Sequence, residues 1–92
     1  RGGDDDLMKL TLTQLFSSFS AACNRLDPTL PRLSDTEEIW LGDEHLYRKM
    51  NALALKELPI YQQWAQATGL KRQTLQLGIL NLLWGECHDW LE

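Results

Sequence analysis

With 92 residues the chain has room for one domain, near the lower size at which a hydrophobic core closes on itself. Aliphatic, aromatic and cysteine residues make up 43%, with four tryptophans among them, which excludes an intrinsically disordered chain. No run approaches the roughly eighteen uninterrupted apolar residues of a bilayer-spanning helix, and a net charge of −4 argues against a general nucleic-acid or anionic-membrane binder.

The charge is segregated. Residues 1–45 carry four basic and nine acidic groups, whereas residues 46–83 carry Arg48, Lys49, Lys56, Lys71 and Arg72 against Glu57 alone. An anionic partner would therefore have to meet the middle of the chain. Cys23 and Cys87 are too few and too far apart for a disulfide framework, and two buried thiols suit a reducing, cytoplasmic setting.

In chain order, residues 1–6 read as a disordered acidic tail or a scar, and 7–92 as a single helical domain. Asp4, Asp5 and Asp6 also suit a helix N-terminus, whose unpaired N–H groups attract negative charge. Leu12, Leu15, Phe16, Phe19, Ala22, Cys23 and Leu26 then recur at three and four, which predicts a helix over 7–26 with one apolar face. Read from Met8 as a start, the same stretch would resemble a lipoprotein signal ending before Cys23. Its apolar region is broken by Thr, Gln and Ser and only Lys9 precedes it, which favours a core helix. An interfacial membrane helix would need a basic polar face, and only Lys9 and Arg25 are available.

Asp27-Pro28 ends this helix, and Pro31 keeps the following residues extended. Ser34-Asp35-Thr36-Glu37 is a capping-box pattern that opens a second helix carrying Ile39, Trp40 and Leu41. Gly42-Asp43 predicts a break, then a third helix through Leu46, Tyr47, Met50, Leu53 and Ala54; one uninterrupted helix over 35–57 is the alternative. Pro59 suits the first turn of a further helix, Gly69 suits its left-handed stop, and a last helix runs from about Lys71 to at least Trp84. The expected fold is all-α, a small bundle of four to five short helices with the 71–84 helix central.

The stretch QQWAQATGLKRQTLQLGIL, within residues 59–80, resembles the helix-turn-helix of bacterial regulators. The resemblance implies that Ala65 lets two helices approach, Gly69 makes the turn, Leu70 plugs the core and Leu75 faces inward. It also implies a major-groove surface of Lys71, Arg72, Gln73 and Gln76, with Lys56 adding phosphate affinity; Arg and Lys can donate to guanine and Gln can pair with adenine. The pattern departs from the family at Lys71, where a Ser or Thr cap is usual, and at Gly78, usually a branched aliphatic residue.

The residues after Gln76 point elsewhere. At 100° per residue Ile79 and Leu82 fall with Leu75, while Leu77, Leu80 and Trp84 fall opposite, and a helix apolar on both sides is covered on both sides. The expected function is accordingly a non-catalytic, regulatory protein-interaction or oligomerisation module, a homo-oligomer or one half of a complex. Phe16, Phe19, Leu77, Leu80 and Trp84 are its candidate interface, and helix-turn-helix DNA binding is the alternative. Glu86-Cys87-His88-Asp89 gathers metal-ligand types at adjacent positions, which point in different directions, so no metal or other cofactor is expected. His45 beside Asp43 and Glu44 is the one other titratable cluster. No nucleophile has a base at a useful spacing, so no enzyme activity is expected.

Overall fold

The computed structural model of the chain describes residues 12–31 and 44–88. The acidic start at Asp4–Asp6, the 7–11 portion of the first helix and the capping box at Ser34–Glu37 lie outside them. So do the short helix around Trp40, the Gly42-Asp43 break and everything after His88.

The described residues are all-helical. They form α1 (Leu12–Leu26), α2 (Glu44–Gln66) and α3 (Gly69–Cys87), each packed on the other two. Among the described residues, the helices foreseen before and after Pro59 are joined into one. Glu57 leaves helical dihedrals (φ −110°, ψ 16°) while the chain stays helical on both sides. Pro59 has no N–H to give the carbonyl four residues back, and its ring crowds that turn, so the helix kinks two residues before it.

α1 is the central element. From Leu15 to Cys23 every residue except Ser17 is buried, the serines and alanines as fully as the phenylalanines. Small side chains let neighbours close in on several sides of this helix. The Ser20 hydroxyl sits 2.6 Å from the Tyr61 hydroxyl, which itself donates to the Pro31 carbonyl at 2.6 Å. Burial raises the Tyr61 phenol above its ordinary range, so it stays a neutral donor. Ser18 Oγ is buried without a hydrogen-bond partner, an omission that costs about 1–3 kcal/mol. The expected central position of the 71–84 helix is thus corrected: α3 buries only Ile79, Leu83 and Cys87.

α1 ends as its sequence foretells, with the Asp27 N–H bonded to the Cys23 carbonyl and the Thr29 hydroxyl and N–H both donating to Asp27 Oδ1. Those two bonds hold the Asp27 carboxyl below the usual range. Leu26, placed on the apolar stripe by spacing, is exposed at this end.

An aromatic column joins α1 to α2. Trp64 stacks on Tyr61 at 5.2 Å between ring centroids, Phe16 tilts against Trp64 at 5.4 Å, and Phe19 meets Tyr61 edge-on at 5.8 Å. Both cysteines lie fully inside this core, Cys23 with its thiol pushed up to about 12 and Cys87 to about 11 by burial. At those values neither is a competent nucleophile near neutrality.

Gly69, the first residue of α3, has φ +61°. A Cβ there would touch nothing within 4 Å, so only backbone strain opposes a side chain. Gly69→Ala should cost about 1–2 kcal/mol. At Gly78, inside α3, a Cβ would meet only Ile60 Cδ1, at 4.0 Å. Gly78→Ala should therefore gain up to about 1 kcal/mol from helix propensity. Urea midpoints moving in opposite directions for the same substitution would bear this out; two equal shifts would contradict it.

Candidate functional site

α3 is the element on which both functional expectations converge, and its two ends are built differently. The chain leaves α2 at Gln66, turns through Ala67 and Thr68, and re-enters a helix at left-handed Gly69. Thr68 takes the N-cap position with extended dihedrals but makes no side-chain cap bond.

Arg72 holds this turn together. Its Nη1 donates to the Trp64 carbonyl at 3.1 Å, which also accepts the Ala67 N–H at 3.2 Å, and to the Ala67 carbonyl at 3.3 Å. Its guanidinium carbon lies 3.9 Å from the centroid of the Trp64 ring. Beside it, Trp64 Nε1 donates to Gln76 Oε1 at 3.3 Å.

This geometry changes the standing of the candidate DNA-reading residues. Lys71, Gln73 and Lys56 are exposed. Arg72 is half-buried with its Nη1 turned back onto the Trp64 and Ala67 carbonyls, and the Gln76 amide oxygen is taken by Trp64. Leu70, expected to plug the core, is 77% exposed. The small residue buried at the turn is Ala67, two positions after Ala65. Leu75 and Ala65 are half-buried and packed against the core.

The interface candidates separate as well. Phe16 and Phe19, 3% and 0% exposed, belong to the aromatic column inside the monomer, so they offer nothing to a partner. Their inclusion is corrected for the reason given above: α1 is enclosed on nearly all sides. Leu77 is 63% exposed and Trp84 47%, whereas Leu80 is half-buried and packs partly on the chain's own core. Leu80→Asp would therefore disturb the fold and the surface together, and Leu77 is the cleaner probe.

The exposed residues form a line. Leu70, Leu77 and Trp84 stand seven apart, roughly 140–180° around the helix from Ile79, along a strip about 21 Å long. Their spacing foretold the Leu77–Trp84 part; Leu70 was missed because the resemblance put it inward. Trp84 lies against the His88 imidazole at 5.9 Å between centroids. Two shallow depressions border the helix, of about 350 Å³ lined by Gln63, Gln66, Ala67, Thr68 and Lys71, and of about 260 Å³ lined by Gln73, Gln76 and Leu77. They present amides, a hydroxyl and one ammonium, with no carboxylate or imidazole to act as base.

At the C-terminal end, Glu86 approaches Lys49 of α2 at 3.8 Å, Cys87 is buried and His88 is exposed, so these neighbours diverge. Among the described residues no three His, Cys, Asp or Glu side chains come together as a metal site would require. Nor is any described helix long and apolar enough to cross a membrane. His45 is exposed at the start of α2. No protein-family model matches the chain, and neither a curated protein nor a solved structure matches it, so its function has to be argued from this geometry.

Proposed function

We propose that the protein is a non-catalytic association module that binds another protein surface through the outward face of α3. The observation that carries this reading is the line of Leu70, Leu77 and Trp84, exposed on the side of α3 opposite Ile79 and Leu83. Full burial of a leucine-sized side chain gains about 1.5–3 kcal/mol, and Leu70, Leu77 and Trp84, 77%, 63% and 47% exposed, forgo a part of that. Three in register on one ridge make a surface that gains by being covered. Tryptophan is also enriched at the centre of protein interfaces.

Leu77→Asp tests the reading. Leu77 is 63% exposed, so helicity and thermal midpoint should stay within experimental scatter of the wild type. Association, scored with wild-type and variant protein as parallel baits and with the chain itself counted among the captured species, should fall at least tenfold. Equal capture by both baits would count against the reading.

A helix-turn-helix regulator is the second reading, supported by the short turn that ends at left-handed Gly69 and by exposed Lys71 and Gln73. It ranks second because a groove-facing α3 would press Leu70 and Leu77 against phosphates or base edges while Arg72 stays turned away. Anisotropy with a labelled mixed-sequence duplex tests it. Binding that weakens steeply with salt would move it to first place.

A further inference from the structure

We draw no further inference here: the strongest candidate, the exposed Leu70, Leu77 and Trp84 patch on the outward face of α3, carries nothing beyond the association already proposed, because nothing in the structure shows what covers it.

Discussion

Trp64→Ala should lose about 3–5 kcal/mol of folding stability, the cost of deleting a large aromatic side chain from a closed core. Trp64 is 2% exposed, stacks on Tyr61, carries Phe16 on its edge and donates to Gln76. It also supports the Arg72 guanidinium. Small domains hold about 5–15 kcal/mol in total and a chain of this length sits low in that range, so the variant should be partly unfolded at room temperature. Urea denaturation followed by circular dichroism measures the loss. Trp64→Phe should retain about half of the difference, because a ring remains against Tyr61 while the Nε1 bond goes. A urea midpoint for Trp64→Ala equal to that of the wild type would show that the column does not hold α1, α2 and α3 together.

Arg72→Ala should cost about 2 kcal/mol, because two charge-assisted hydrogen bonds to carbonyls and one stacked guanidinium are lost together. A small gain offsets part of this, since removing a cation from the first turn of α3 relieves about 0.3–1 kcal/mol of unfavourable dipole interaction. Arg72→Lys should recover little of the loss. A single ammonium cannot both span the Trp64 and Ala67 carbonyls and lie flat on the indole. Thermal midpoints of the three proteins read the order directly, and a fully stable Arg72→Ala variant would contradict it. Loss of DNA binding in Arg72→Ala would then report a damaged turn as readily as a lost base contact. Lys71→Ala and Gln73→Ala, both at exposed positions, are the discriminating variants for that reading.

The two expected effects share a cause that local pattern could not supply. Spacing placed Trp64 in a helix and Arg72 at the start of the next one, and Gly69 was identified as the turn between them from its residue type alone. That Arg72 folds back over Trp64 depends on the angle at which α3 leaves Gly69, which is set by packing across the turn. Viewed locally, an arginine in the first turn of a helix is a solvated cation or a groove reader. In the folded chain it is the clasp of the turn.

Residue type and order alone determined the all-helical class, the end of α1 at Asp27-Pro28, the disturbance ahead of Pro59, the left-handed turn at Gly69 and the two-sided apolar character of the 75–84 stretch. Each follows from interactions within a few residues: a missing N–H, a missing Cβ, a periodicity of 3.6. Tertiary structure decided which helix is enclosed and which is left with a bare face. Hydrophobic content favoured α3 as the centre, yet α1 occupies it. Its serines and alanines allow close approach, and the Tyr61 hydroxyl stands where the Ser20 hydroxyl can reach it. α3, richer in leucine, is pushed to the side with Ile79 and Leu83 inward and Leu70, Leu77 and Trp84 outward. Transfer energy ranks side chains one at a time, whereas enclosure depends on how near their neighbours can come.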